Sequence, residues 1–331
     1  MSEKLLTVSS SPHIRGKQTT RSIMTDVLIA LLPAMVLSAV FFGYYAIVLI
    51  AICTATCILA ELLTQKIMKQ DVTIKDMSAA VTGVLLALNL PINAPWWIAV
   101  IGSAFAIVIV KQLFGGLGHN FINPALAARA LLVASWPTLM TGSAYLPADA
   151  ISSATPLGII KEGLIGTSGT YLPSTMQLFL GGPNVYGCIG EVSALALILG
   201  GLYLIFRKVI TYHIPVFYIG TVAVFTLIQT LAVGSTFTGS VLTDVLSYLF
   251  AGGLMLGAFF MATDYVTCPA TAKGQIIYAI GMGIIICVIR FYGGYPEGCC
   301  YSILLMNVAT PLIDKLVKAK KYGEVKVKKN A

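Results

Sequence analysis

A short polar run, DAISSATPLG (149–158), carries three hydroxyl groups in a chain that is otherwise strongly apolar. The hydroxyls belong to Ser152, Ser153 and Thr155, and small, turn-forming residues surround them. Pro156 follows Thr155 directly and limits the conformations of the backbone there. Because loops lie at protein surfaces and often carry function, we expect the three hydroxyl groups, including that of Thr155, to be accessible at the surface.

The cysteines and histidines are the usual candidates for a metal site, but their spacing argues against one. Cys53 and Cys57 stand four residues apart on one face of a predicted helix, which could suit a metal. Two small buried hydrophobic side chains are the more common meaning of that spacing. Cys299 and Cys300 are adjacent, point in different directions from a helix, and fall near the outer surface in the topology given below. The three histidines are scattered, and we predict no metal ligand and no catalytic residue.

Three charged residues lie within or beside apolar stretches, where a charge is costly and usually faces protein or water. Arg129, in NPALAARALL, is deep in a short stretch and either offsets the charge of a bound cofactor or substrate or bonds the end of a half-helix. Asp264, in FMATDYVTCPAT, is expected to cap the nearby Thr267 or Thr271 region. Glu61 is the third.

The composition shows which elements must position these residues. Of the 331 residues, 57% are hydrophobic and 10% are charged, whereas soluble domains have roughly 25% charged residues. The chain is therefore an integral membrane protein. Ten apolar stretches are candidate transmembrane spans: 24–43, 44–63, 77–90, 96–114, 124–136, 188–206, 215–233, 241–261, 275–292 and 299–313.

Basic residues cluster in segments that share one side of the membrane if the chain crosses it ten times, and by the positive-inside rule both termini are then cytoplasmic. They are Lys4, Arg15, Lys17, Arg21, Lys66, Lys69, Lys75, Arg207, Lys208, Lys315, Lys318, Lys320, Lys321, Lys326, Lys328 and Lys329. The chain divides into a cytoplasmic segment (1–23), a first membrane repeat (24–136), an extracytoplasmic loop (137–187), a second repeat (188–313) and a basic cytoplasmic tail (314–331). The tail follows a span directly, which favours a topology anchor or lipid contact over nucleic-acid binding.

The two membrane halves match weakly when the sequence is shifted by 178 residues (269 − 91), which places Pro91 on Pro269. The same shift places QLFGGLGHN (112–120) on RFYGGYPEG (290–298). Five spans separate equivalent points, so the copies run in opposite directions. We predict an all-α polytopic membrane protein built from two inverted five-helix repeats, in which short or broken helices meet near the midplane. The paired glycines indicate either turns with positive φ or close helix packing.

The polar run resembles the sequence at which a dedicated transferase attaches FMN to a threonine. The matching residues are Asp149, Ser152, Ala154 and Thr155, while Ser153 stands where glycine is usual. Three further stretches are GGLGHNFINPALAARAL, FMATDYVTCPATAKGQ and RFYGGYPEGCCYSILLMN. Together they resemble the D subunits of Rnf complexes, the ion-pumping ferredoxin:NAD+ oxidoreductases, which are related to the B subunits of the sodium-pumping NADH:quinone oxidoreductases.

This resemblance implies a bacterial cell membrane protein that carries FMN on Thr155, joined through the phosphate by a flavin transferase. Asp149, Ser152, Ser153 and Ala154 would form the attachment sequence, and Arg129 is the candidate for offsetting flavin charge. The resemblance also implies a noncovalent riboflavin, partner membrane and soluble subunits, and coupling of electron transfer to movement of Na+ or H+. Backbone carbonyls near the glycine breaks are candidate Na+ ligands.

Two other function classes are compatible with the sequence. Inverted five-span repeats also resemble urea and ammonium transport folds, in which case the outer loop is a lid without a cofactor. An assembly subunit without a redox role is the other. The sequence contains no phosphate-binding loop, no Rossmann glycine pattern and no HExxH motif, which excludes a soluble nucleotide-binding domain.

Overall fold

The computed structural model describes residues 18–141, 155–161, 172–182, 185–234 and 240–318. Throughout these ranges the chain is helical, and its β-structure is one isolated bridge between Pro91 and Cys188. The helices are α1 (Thr20–Phe42), α2 (Tyr44–Ile67), α3 (Ser78–Leu88), α4 (Trp96–Phe105), α5 (Pro124–Ser135), α6 (Pro137–Met140), α7 (Pro156–Lys161), α8 (Thr175–Leu180), α9 (Ala194–Phe206), α10 (His213–Val233), α11 (Val241–Phe250), α12 (Leu254–Leu256), α13 (Ala272–Tyr292) and α14 (Cys299–Leu316). Two π-helical segments, Ala106–Gln112 and Gly257–Met261, extend α4 and α12.

The predicted spans coincide with the apolar helices that the structure describes, which confirms an all-α polytopic membrane protein. Helices α1, α2, α10, α13 and α14 are long and apolar enough to cross a bilayer. Helices α11 and α12 form a pair bent by 61°, either a broken span or a re-entrant loop, which we call the bent span. Helices α3, α4, α5 and α9 are apolar but shorter. The 11 residues of α3 extend only about 16 Å, against roughly 30 Å for a hydrocarbon core, so α3 ends inside the bundle.

One end of the bundle gathers the basic helix termini, and we call it the basic end. Three side-chain hydrogen bonds join helix termini there: Arg207 with Asp26, Thr211 with Gln275, and Asp314 with the backbone of Ala270. The described basic residues at these termini are Arg21, Lys66, Lys69, Lys75, Arg207, Lys208, Lys315 and Lys318. The bundle therefore has the asymmetry of charge that the sequence predicts.

The helix directions show the inversion of the two repeats. The shift of 178 residues places α4 with its π extension on α13, and α5 on α14. The extension of α4 ends at the basic end, where Lys111 donates to Ser78 at the start of α3, whereas α13 begins there. Trp136, just after α5, packs against Trp97 at the start of α4 with ring centroids 5.4 Å apart, so α5 runs away from the basic end. Helix α14 runs toward it.

Side chains cap the helix that begins inside the bundle. Asn123 precedes α5, and its Oδ1 accepts from the backbone N–H groups of Ala125 and Leu126. Its Nδ2 donates to the carbonyl of Met261, at the end of the π segment of the other repeat. The four free N–H groups of a helix start are costly without water, so Asn123 stabilises a buried helix end and joins the repeats.

The two glycine pairs serve different purposes. Gly115 and Gly116 have φ of 110° and 86°, in the region that favours glycine. Gly293 has φ of −82°, and a Cβ there would lie 2.7 Å from the carbonyl oxygen of Ile289. The first pair is therefore a turn, while in the second pair Gly293 needs glycine for close packing and a Cβ on Gly294 would meet nothing within 4 Å.

The connection 137–187 is less open than the sequence predicts. It contains α6, α7 and α8, and α7 and α8 pack on the bundle. Thr175 in α8 shares a 2.7 Å hydrogen bond with Ser247 in α11, and Ser174 caps α8 while Gln177 bonds back to its backbone. The segment is therefore partly a docked layer over the second repeat.

Candidate functional site

Thr155 lies at the start of α7 and is buried. It is 6% exposed, its Oγ1 accepts from the N–H of Gly158 at 3.2 Å, and its carbonyl accepts from Ile159 at 2.9 Å. The threonine is thus the N-cap of this short helix. The expectation of an accessible hydroxyl is wrong for this conformation, because the cap hydrogen bond and the docking of α7 enclose it. The other predicted attachment residues, Asp149, Ser152, Ser153 and Ala154, lie outside the described residues.

A lysine fixes the other end of α7 to the bundle. The Nζ of Lys161 donates to the carbonyls of Ile289 at 3.1 Å, Arg290 at 3.3 Å and Tyr295 at 2.6 Å. These carbonyls lie at the end of α13, where a cation is favourable. Partial burial nevertheless lowers the pKa of the Lys161 ammonium. Because α13 begins at the basic end, α7 lies at the opposite end of the bundle.

The surroundings of α7 are apolar and aromatic. Leu157 is 4% exposed and packs in one cluster with Leu178, Tyr248 and Ala251. Phe250 and Phe291 pack against this cluster, and the rings of Tyr248 and Phe291 lie 5.2 Å apart. Aromatic side chains that converge beside a few polar groups are typical of cofactor sites.

Arg129 is the centre of a buried polar cluster between the two repeats. One guanidinium nitrogen donates to Asn89 at 2.8 Å, and the other donates to Glu297 at 2.8 Å and to the Cys188 sulfur at 3.3 Å. Glu191 is 3.9 Å from the guanidinium. Asn89 caps the end of α3, so one of the two predicted roles, a bond to a half-helix end, is observed. The flavin role of Arg129 stays a prediction.

Four different elements supply the Arg129 cluster. Arg129 is on α5, Asn89 follows α3, Glu191 precedes α9 and Glu297 lies between α13 and α14. Glu191 and Glu297 were not predicted from the sequence, because each stands outside the predicted helices or at a boundary, where an acidic residue is usually solvated. One sequence feature could have drawn attention to Glu191 and Glu297. The whole chain has only 13 acidic residues.

A cavity of about 90 Å³ lies between the repeats near the basic end. Asn120, Asn123 and Asp264 contribute polar groups to its wall, and Phe259 and Tyr265 contribute rings. Asp264 accepts from the backbone of Val266 and from the hydroxyl of Thr267, both at 3.4 Å, which confirms the predicted cap. The cavity therefore combines apolar walls with hydrogen-bonding groups.

Glu61 is held in a second buried network at this end. Its Oε1 accepts from Lys111 at 2.7 Å and from Gln112 at 2.8 Å, and Lys111 also donates to Ser78 at 2.6 Å. Lys111 is 2% exposed. The expectation that Glu61 faces protein is confirmed, while its partner Lys111 was missed because a lysine at a predicted span end is usually in the lipid headgroup region.

The cysteines behave as buried side chains. Cys53 and Cys57 are both 0% exposed and free, as expected of small hydrophobic residues. Cys299 donates to the carbonyl of Gly253 and Cys300 to that of Leu126, each at 3.3 Å. These two point in different directions, as predicted, and both are buried at the start of α14, away from the basic end. Among the described residues, one group offers three possible metal ligands within 4.8 Å of one another: Cys188, Glu191 and Glu297.

Comparison with known proteins agrees with this architecture. The model of the NQR2, RnfD, RnfE family matches residues 7–323. The chain belongs to the NQR2, RnfD, RnfE family. The match includes both repeats, α7 and every member of the Arg129 cluster.

Similar family members belong to ion-translocating complexes in several bacteria. One is the D subunit of the Na(+)-translocating ferredoxin:NAD(+) oxidoreductase complex of Acetobacterium woodii, 58% identical over 100% of this chain and 99% of the relative. The D subunit of the proton-translocating ferredoxin:NAD(+) oxidoreductase complex of Clostridium ljungdahlii is 46% identical over 97% of each chain. The D subunit of the ion-translocating oxidoreductase complex of Klebsiella pneumoniae is 36% identical over 96% of this chain and 98% of the relative.

Proposed function

We propose that this chain is the D subunit of an ion-translocating ferredoxin:NAD+ oxidoreductase complex in a bacterial membrane. The observation that carries the proposal is the 58% identity over essentially the full length of both chains to a relative of that name. The chain acts with other membrane and soluble subunits and is not an enzyme alone. The two most similar of these relatives are named for different ions, Na+ and H+, so the proposal includes either ion.

The finer part of the proposal is a covalent FMN on Thr155, attached by a flavin transferase. Three observations support it: the attachment sequence, the aromatic cluster beside α7, and the position of α7 at the end of the bundle away from the basic residues. By the positive-inside rule that end is extracytoplasmic. FMN would supply one- or two-electron transfer there.

The geometry of Thr155 fits this group only if α7 moves. A phosphoester needs the Thr155 oxygen to face outward, whereas here it accepts a hydrogen bond from Gly158 and is enclosed. Modification therefore takes place with α7 undocked. Once attached, the flavin would be held near Tyr248, Phe250 and Phe291, whose rings exclude water from this region.

We assign the proposed riboflavin to the cavity near the basic end. Phe259 and Tyr265 offer ring contacts, while Asn120, Asn123 and Asp264 offer hydrogen-bonding groups to the polar edge of a flavin ring. The roles of these side chains are to orient the ring and to exclude water. The volume of about 90 Å³ is smaller than riboflavin, so the cavity must widen to admit it.

A pair of substitutions tests the proposal on the assembled complex. Thr155→Ala should remove the flavin fluorescence of this subunit in a denaturing gel and abolish electron transfer from ferredoxin to NAD+, because no hydroxyl remains to be esterified. Thr141→Ala, which removes another hydroxyl of the 137–187 connection, is the control and should retain both. Full electron transfer in Thr155→Ala would instead support an assembly subunit, and a wild-type chain without flavin would favour a transporter of the urea or ammonium type.

A further inference from the structure

The break in the bent span lies against two buried carboxylates with unpartnered oxygens. The side chain of Glu191 is 3% exposed, and its Oε1 has no hydrogen-bond partner among the described residues. Glu297 Oε1, on a side chain that is 13% exposed, also lacks one in that part of the chain. A buried polar atom without a partner costs about 1–3 kcal/mol, and more when it is charged, so these two oxygens point to a ligand.

The neighbouring cations do not satisfy both carboxylates. Arg129 lies 2.8 Å from Glu297 and 3.9 Å from Glu191. Arg290 donates to backbone carbonyls at the end of α11, and Lys161 donates to carbonyls at the end of α13. Neither of these two forms an ion pair with the carboxylates in the described part of the chain. Glu191 and Glu297 therefore share Arg129 as their ion-pair partner in the described part of the chain.

The spacing of the carboxylates fits a spherical cation. Carboxylate oxygens of Glu191 and Glu297 lie within 4.8 Å of each other and of the Cys188 sulfur. A cation of calcium size holds oxygen ligands at about 2.3–2.6 Å, so two oxygens on opposite sides of it lie about 4.6–5.2 Å apart. Na+ is close to Ca²⁺ in size and has the same preference for oxygen.

The bent span brings its backbone to the same place. A Cβ on Gly253 would lie 2.9 Å from Glu191 Oε1, and one on Gly252 would lie 3.6 Å from Glu297 Cγ. Gly252 has φ of 72°, so the turn between α11 and α12 requires glycine. Broken helices whose backbone faces an ion at a repeat interface are a recurring arrangement in membrane transporters.

The charges select a monovalent ion. With both carboxylates ionised, Glu191 and Glu297 carry two negative charges and Arg129 one positive charge, which leaves one negative charge to be balanced. A divalent ion would exceed this balance. A single proton would balance the same charge, so a proton and a monovalent cation compete for this position. We propose that Glu191 and Glu297, at the Gly252–Gly253 break, bind one Na+ ion.

This site lies directly beneath the proposed flavin segment. A Cβ on Gly252 would lie 2.9 Å from Leu157 of α7 as well as 3.6 Å from Glu297. The purpose of this Na+ site rests on the proposed ion translocation. An electron that reaches the flavin raises the affinity for a cation close to it. Binding itself requires no electron transfer, so the two can be tested apart.

Equilibrium binding of radioactive Na+ to the purified full-length chain tests the site, with choline replacing Na+ to keep the ionic strength constant and no electron donor present. The wild-type chain should show saturable Na+ binding, and Glu191→Gln should weaken it about tenfold or more, because a charged ligand is lost. Asp26→Asn is the matched control, since Asp26 is buried and paired with Arg207, and it should bind Na+ as the wild type does.

Gly253→Ala provides a second variant that keeps every charge. Its methyl group should displace the Glu191 carboxylate and weaken Na+ binding even if Glu191→Gln fails to fold. Thr155→Ala should bind Na+ normally, so failure of the flavin proposal would leave this result intact. Absence of saturable binding in the wild type, or equal affinity in Glu191→Gln, Gly253→Ala and the wild type, would overturn the site.

Discussion

The burial of Thr155 and the ion pairs of Arg129 both depend on contacts with distant parts of the chain. Thr155 was identifiable from the letters around it, because an attachment sequence is local. Its burial depends on α13, more than a hundred residues away along the chain. Arg129 was identifiable because a charge in an apolar stretch is costly, but Glu297 stands 168 positions further on. A local sequence pattern therefore identifies a residue such as Thr155 or Arg129, whereas the packing of distant segments determines what its side chain contacts.

The contacts of Arg129 predict that replacing this side chain greatly destabilises the protein. Arg129→Ala should lower the free energy of unfolding by about 3–5 kcal/mol, because it leaves Glu297 and Glu191 buried without a cation. Thermal unfolding of the purified chain, followed with a thiol-reactive dye that reports exposure of the buried cysteines, measures this loss.

Arg207→Ala is the control for the loss of an arginine. The side chain of Arg207 is 51% exposed and pairs with Asp26, so water replaces the ion pair and the loss should be much smaller. Equal losses for Arg129→Ala and Arg207→Ala would contradict the assignment of Arg129 as the counterion of a buried cluster.

At the scale of elements, apolar runs predicted the positions of the membrane helices, because each run must satisfy its own backbone in lipid. The breaks were harder to predict. The bend between α11 and α12 and the π segments depend on what packs against them, and Gly252 and Gly253 are not distinguishable by sequence from other glycine pairs. The docking of α7 also depends on contacts with distant helices.

Because α2 packs closely on α3, we predict that Gly83 cannot be replaced by a residue with a side chain without destabilising the protein. A Cβ on Gly83 would lie 2.7 Å from the Cα of Thr54, so Gly83→Ala must separate the two helices and should cost about 1–3 kcal/mol of stability. Gly220→Ala in α10 is the control, since nothing lies within 4 Å of its Cβ position. It should be neutral or stabilise by up to about 1 kcal/mol. The opposite order of melting temperatures would contradict this packing.

The docking of α7 predicts that its lysine controls access to Thr155. Lys161→Gln removes the ammonium that bonds the end of α13 and should increase the rate at which the flavin transferase modifies the folded, unflavinylated chain. In-gel flavin fluorescence over time measures that rate. Lys273→Gln, at the basic end, should leave it unchanged, and a slower rate in Lys161→Gln would show that docked α7 is the form that the transferase recognises.

At the scale of the whole molecule, the uneven distribution of basic residues is predicted by the sequence and observed in the structure. The basic helix termini lie at one end and α7 at the other, so the proposed topology places Thr141 outside the cell and Lys318 inside. In a Cys268→Ser background, Thr141→Cys should react with a membrane-impermeant maleimide in intact cells. Lys318→Cys should react only after permeabilisation. Reaction of Lys318→Cys in intact cells would reverse the orientation and place the proposed flavin in the cytoplasm.

The covalent flavin can be detected by mass spectrometry of the peptide that contains Thr155, from the complex purified out of its own membrane. We expect this peptide to carry the mass of FMN joined with loss of water, and fragmentation to assign the added mass to the Thr155 oxygen. An unmodified Thr155 peptide in a complex that actively transfers electrons, or FMN on a different residue, would contradict it.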